Sequence, residues 1–176
     1  RAPSSAFSLD DSELPHAIVS RRLNAARHLS VAEPVATNTL ADTLAQKAWE
    51  LTSGGKQPAR VLVFVDSRKV AQEVDEKLHE LAGGDGHGDK IAIETELFVG
   101  GRRVVEREAA AERLEAMGLI AGSPQTPTKP VFVVATSAGE VGVDLDADHA
   151  VLDLVEWERL VQRLGRVNRR GAGEAS

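Results

Sequence analysis

Residues 60–69 read Arg60-Val61-Leu62-Val63-Phe64-Val65-Asp66-Ser67-Arg68-Lys69, and this stretch decides the fold. Five apolar residues run without alternation, which suits a strand buried on both faces of a parallel sheet. Asp66-Ser67 then offers oxygen atoms to cap a helix in which Val70, Val74, Leu78 and Leu81 line one side. The same strand-then-helix unit recurs downstream. Residues 91–99 read as a strand, Gly100-Gly101 as a turn and 104–117 as a charged helix. Val131-Phe132-Val133-Val134-Ala135 and Ala150-Val151-Leu152-Asp153-Leu154 read as further strands, the second followed by a helix from Glu156. Upstream, Thr39 opens a helix over 39–53, with Asp42 in its first turn and Gly54-Gly55 closing it. Alternation over residues 27–32 predicts one more strand before Pro34. Strands alternating with helices give an α/β domain of three layers, a mostly parallel sheet with helices on both faces.

The chain has 176 residues, enough for one domain with a sizeable core, and hides roughly 70% of its unfolded surface on folding. Residues 1–26 read as a lead-in or interdomain segment and 27–176 as the domain. The chain opens on Arg1 rather than Met, which fits a processed product, an excised piece or part of a longer polypeptide. It has no Cys, which excludes disulfides, thiolate zinc sites and cysteine nucleophiles. None of its 5 His forms an HExxH pair, so no metal site is expected. No apolar run approaches the ~18 residues of a membrane span, so a soluble, cytoplasmic protein without a membrane partner is expected. The formal net charge of −6 argues against coating nucleic acid by bulk electrostatics, yet leaves room for a local basic strip.

Ligands of such sheets bind beyond the carboxyl ends of the strands. The chemistry is therefore expected just after Val65, Val99, Ala135 and Leu154. Those loops carry Ser67, Arg68, Gly100, Gly101, Thr136 and Ser137, and the last helix carries five Arg in the twelve positions 159–170 with no acid after Glu158. At about 100° per residue, Arg159, Arg163, Arg166 and Arg170 fall within about 60° of one another, with Gln162 and Arg169 beside them. Trp157, Leu160, Val161, Leu164 and Val167 occupy the other side. This predicts an apolar face docked on the sheet and an outward comb of arginines suited to phosphate. Taken alone, Asp144 and Asp146 fit a turn cap, Thr136 a strand-end hydroxyl, Gly100-Gly101 a tight turn, and Arg102 and Arg103 a solvated surface. Ser53-Gly54-Gly55-Lys56 lacks the spacing of a phosphate loop, and Asp146-Ala147-Asp148-His149 lacks the acid that activates water in a DExH box.

Four segments carry a resemblance. VLVFVDSRKVAQEVDEKL (61–78), ELFVGGRR through Arg107, VFVVATSAGEVGVDLD (131–146) and LVQRLGRVNRRG (160–171) are similar, in order and spacing, to helicase motifs IV to VI. They span about 110 of the 176 residues and resemble the second, C-terminal RecA-like domain of a superfamily 2 helicase. The pairing of GEVGVDLD with QRLGRVNRRG is most similar to the helicase part of the type I CRISPR-associated nuclease-helicase. A DEAD-box protein would usually have Arg at Glu140 and His at Gln162.

The resemblance implies an ATP-dependent helicase or translocase of single-stranded nucleic acid, DNA rather than RNA, acting with a CRISPR surveillance complex. It implies that Arg166 and Arg169 are arginine fingers toward ATP, and that Gly142, Asp144, Gln162 and Arg163 lie about the nucleotide. It implies further that Ser67, Arg68, Gly100, Gly101, Arg107, Thr136 and Ser137 hold strand phosphates. No Walker lysine, magnesium-holding acid or base occurs in a recognisable motif, so ATP and Mg2+ are expected on a first RecA-like domain of the same polypeptide, and this chain alone is expected to lack ATPase activity. A non-catalytic RecA-like module for nucleic-acid or protein binding is the other class open to the sequence. A Rossmann-type nucleotide enzyme is disfavoured, because no GxGxxG leads from a strand into a helix.

Overall fold

A computed structural model describes residues 12–84, 90–100, 104–137 and 143–171, with the backbone alone at 104–107. Its elements in order are α1 (Ala17–Leu23), α2 (Leu40–Glu50), β1 (Arg60–Phe64), α3 (Arg68–Gly83), β2 (Glu94–Phe98), α4 (Val104–Ala116), β3 (Val131–Ala135), β4 (His149–Leu152) and α5 (Trp157–Leu164), with a short 3-10 turn at Thr37–Thr39. The four strands form one sheet in the order β2-β3-β1-β4. Every pairing is parallel, with Arg60 opposite Val131, Val61 opposite His149 and Glu94 opposite Val131.

The apolar runs are buried as continuous strands should be. Val61, Val63 and Val65 of β1 and its extension pack with Phe132 and Val134 against Leu44, Ala48 and Trp49 of α2 and Val74 and Leu78 of α3. Leu62, Phe64, Val133 and Ala135 point to the other face and meet Ala110 and Leu114 of α4, together with Leu119 and Leu145. Side chains alternate across a strand, so one strand feeds two cores and needs helices on both faces. The three-layer α/β architecture is therefore observed as expected.

Helix starts follow local chemistry. Ser67 caps α3 by accepting the Val70 N–H at 3.5 Å. Thr39 precedes α2 but turns its hydroxyl back to the Ala36 carbonyl, at 3.0 Å, instead of capping the helix. Ion pairs brace the sheet. Arg60 grips Asp148 at 2.6 Å, tying the start of β1 to the approach to β4, and Arg113 of α4 grips Glu96 of β2 at 2.8 Å.

Two expectations are corrected. Residues 27–32 do not form a strand. Leu29 and Val31 stay exposed, and none of these residues joins the sheet, whose strands are β2-β3-β1-β4. Alternation alone cannot supply a pairing partner. The last helix is also shorter than its arginine pattern implied. It ends at Leu164, with Gly165 as its C-cap, so a helical wheel drawn through residue 170 does not hold.

Candidate functional site

The carboxyl ends of the parallel strands gather one set of expected residues. Ser67 and Arg68 follow β1, Gly100 follows β2, and Thr136 and Ser137 follow β3. Ser67, Arg68, Gly100 and Ser137 are exposed there. Thr136 is nearly closed off, and its N–H donates to the Phe98 carbonyl at 3.2 Å. Gly101 and the Arg107 side chain lie outside the described residues.

At this same edge the arginine helix is oriented differently from the expected comb. Arg163 is fully buried. Its guanidinium lies 5.3 Å from the centre of the Phe64 ring, reaches Asp153 at 2.6 Å with one arm, and reaches Asp66 at 3.0 Å with the other. Arg159 adds a 2.7 Å bond to the same Asp66 oxygen. The Asp66 N–H in turn donates to Asp153 at 2.9 Å. The hydrogen bond from Arg159, helped by the charge of Arg163, holds the Asp66 carboxyl below the usual carboxylate range. Meanwhile Trp157 and Val161 are exposed, Leu160 and Leu164 half-buried, and Gln162 exposed. Arginines, not the full apolar stripe, face the sheet. The physical reason is that an aspartate lies just past each of β1 and β4 (Asp66 and Asp153), and two carboxylates make it favourable to sink a guanidinium that has five donors.

The second set lies elsewhere. Residues 144–148 and 166–169 adjoin the amino end of β1 and β4. The Asp148 N–H donates to Arg60, the first residue of β1, and Ala147 and Val167 form a parallel bridge. The chain leaves β4 at the carboxyl edge, and the eight residues of α5 (roughly 12 Å at 1.5 Å each) carry it back before the arginine loop begins. The expectation that all the chemistry converges on the carboxyl edge is therefore corrected: the strand-end loops do, and the Arg166–Arg169 loop does not.

In that loop Arg166 and Arg169 meet one carboxylate oxygen of Asp144, at 3.3 and 2.5 Å. Asp146 fixes the loop by accepting the Arg169 N–H at 3.0 Å. Burial, and then the charge of Arg169, lowers the Arg166 pKa against the opposing pull of Asp144. Two guanidiniums thus converge on a half-exposed anion, an arrangement that suits phosphate oxygens. Gly142 lies outside the described residues. Among the described residues no cluster of three or more His, Asp or Glu is placed to hold a metal ion, and no helix is long and apolar enough to cross a membrane.

Reading the residues one by one missed Asp66, Asp153, Arg27 and Asn168. The signal for the first two was an acid near the carboxyl end of two of the apolar runs, in a chain whose last helix is rich in arginine. Arg27 and Asn168 gave none, since their contact joins segments about 140 positions apart.

Comparison with known proteins bears on the family and the fold. Residues 57–172 match the family described as Cas3-like, CRISPR-associated nuclease/helicase Cas3, C-terminal. A putative CRISPR-associated nuclease/helicase Cas3 of Myxococcus xanthus is 29% identical over 105 residues, 60% of this chain and 13% of that protein. The crystal structure of T. fusca Cas3 superposes with a TM-score of 0.63 and 26% identity, over 82% of this chain and 15% of that one. Its ATP form gives 0.60 and 25%, over 82% and 15%. The chain thus spans less than a fifth of the length of these relatives. With motifs IV to VI set on a parallel α/β sheet, it belongs to the Cas3-like C-terminal family and is the second RecA-like domain of a superfamily 2 helicase.

Proposed function

We propose that this domain is the closing half of an ATP-driven translocase of single-stranded DNA, working in the cytoplasm with a CRISPR surveillance complex. The observation that carries this reading is the convergence of Arg166 and Arg169 on Asp144. ATP supplies a triphosphate whose charge shifts during cleavage, with Mg2+ held by the first RecA-like domain. Arg166 and Arg169 neutralise that charge from across the cleft, a contribution worth about 10³–10⁵ in rate for arginine fingers. Asp144 holds both guanidiniums together beside the nucleotide, with Gly142 nearby. Gln162 faces outward from α5, toward the same cleft. Arg163 acts at one remove, tying α5 to the ends of β1 and β4.

The exposed groups after β1, β2 and β3 (Ser67, Arg68, Gly100 and Ser137), with Thr136, Gly101 and Arg107, grip backbone phosphates and so carry no sequence information. Closing of the two RecA-like domains then alternates with opening as the strand is moved.

The test is complementation. The chain alone hydrolyses no ATP. Mixed with a first RecA-like domain from a Cas3 relative, it confers hydrolysis stimulated by single-stranded DNA. No stimulation at high concentration would favour a non-catalytic binding module on the same fold.

A further inference from the structure

The arginine loop is irregular, and the chain entering the domain holds it through contacts separate from those of Asp144. Arg27 donates from Nε to the Val167 carbonyl at 2.7 Å and from Nη2 to the Asn168 carbonyl at 3.5 Å. Asn168 returns a bond, Nδ2 to the Ala26 carbonyl, at 3.0 Å. Asn168 is buried and sits at φ +44°, a left-handed conformation that Asn tolerates better than most residues. Gly171, at φ +64°, lies so close to Arg21 that a Cβ there would run into the Arg21 carbonyl. The loop is also pinned to residues 146–147, through Ala147 N–H to the Arg166 carbonyl at 3.0 Å, Asn168 N–H to the Ala147 carbonyl at 2.9 Å, and the Arg169 N–H to Asp146.

From these two sets of contacts we infer that Arg27 and the Ala26 carbonyl form a clamp that positions Arg166 and Arg169. The clamped pair, Val167 and Asn168, lies between the two finger arginines in sequence. Its carbonyls accept from a guanidinium, and such charge-assisted bonds are stronger and more directional than neutral ones. Arg27 is thus a positioning residue. It touches the loop that carries the fingers, and the inference rests on the helicase reading for what the fingers do. The clamp also ties the segment entering the domain to the loop that carries Arg166 and Arg169. Arg27 is itself exposed, so its replacement opens no cavity in either core.

The experiment has two arms. In the first, amide hydrogen exchange is followed in the chain itself. Arg27→Ala and Asn168→Gly each speed exchange at residues 168–169 by about tenfold, as loss of a charge-assisted or side-chain hydrogen bond implies, with β1 and β3 unchanged. Arg27→Lys, which keeps the charge and loses the fork, gives an intermediate rate. Unchanged exchange in both variants overturns the clamp. In the second arm, ATP turnover is measured after mixing with the first RecA-like domain. Arg27→Ala lowers kcat about 10- to 100-fold, the scale of a roughly 1 Å misplacement, with KM for ATP and affinity for single-stranded DNA held within twofold. Faster exchange with unchanged kcat, in a mixture that Arg166→Ala still silences, overturns the positioning role alone. A mixture that turns over normally with Arg166→Ala overturns the helicase reading, and the positioning role with it, while the exchange arm still judges the clamp.

Discussion

The guanidinium carbon of Arg163 lies over the Phe64 ring, 5.3 Å from its centre, and the side chain has no exposed surface of its own. Asp153 and Asp66 take its two arms. A buried guanidinium of this kind survives only while its partners do, because either carboxylate or guanidinium left unpaired keeps its desolvation cost without the attraction that offset it.

Arg163→Ala therefore leaves Asp153 largely buried without its cation and opens a void over Phe64. The expected loss is about 3–5 kcal/mol of folding stability, read by urea unfolding of the chain. Arg163→Lys also destabilises, since one ammonium cannot bridge both aspartates. Wild-type stability in Arg163→Ala would show that the network is dispensable.

The Arg60–Asp148 pair gives a pH dependence. Burial pushes the Asp148 carboxyl up, but the side-chain and backbone hydrogen bonds from Arg60 and its charge together bring it below the usual value. A carboxyl whose folded pKa is depressed binds its proton more readily in the unfolded chain. Its stabilisation is thus complete above the unfolded value of about 3.9 and fades as pH falls through the lower folded value. Thermal melts between about pH 7 and pH 2 will show Asp148→Asn less stable than wild type at neutral pH, with the gap narrowing in acid. Parallel curves would remove the pair from the acid response.

How much of this was legible beforehand follows from where the information lies. Unbroken apolar runs such as Val131–Ala135 announce buried parallel strands, because only sheets covered on both faces hide every residue of a strand. Ser67 announced its helix because capping is local. The orientation of α5 was not legible. Its sequence separates arginines from apolar residues cleanly, and the tertiary placement of Asp66 and Asp153 decides which face turns inward. Leu29 and Val31 misled for the same reason: a strand pattern says nothing of whether an edge stands free beside it. The pairing of Arg166 and Arg169 with Asp144 was foreshadowed only by motif spacing, and the Arg27 clamp by nothing.

The exposed groups at the strand ends carry a binding prediction. The chain binds a fluorescent single-stranded oligonucleotide weakly, and log K falls linearly with log salt. Arg68→Ala, which removes one exposed cation beside the α3 N-terminus, makes that slope shallower by about 0.7, the contribution of one phosphate contact on a single strand. An unchanged slope would take Arg68 out of the strand path.

The central claim is that Arg166 and Arg169 act on a nucleotide held by another domain. Its most direct test titrates this chain into a fixed amount of a first RecA-like domain, with Mg-ATP and single-stranded DNA, and records turnover. The account predicts a rise that saturates with added chain and a loss of at least about 10³-fold when both arginines are replaced by alanine. Turnover that never rises, or that rises equally with the doubly substituted chain, would contradict it.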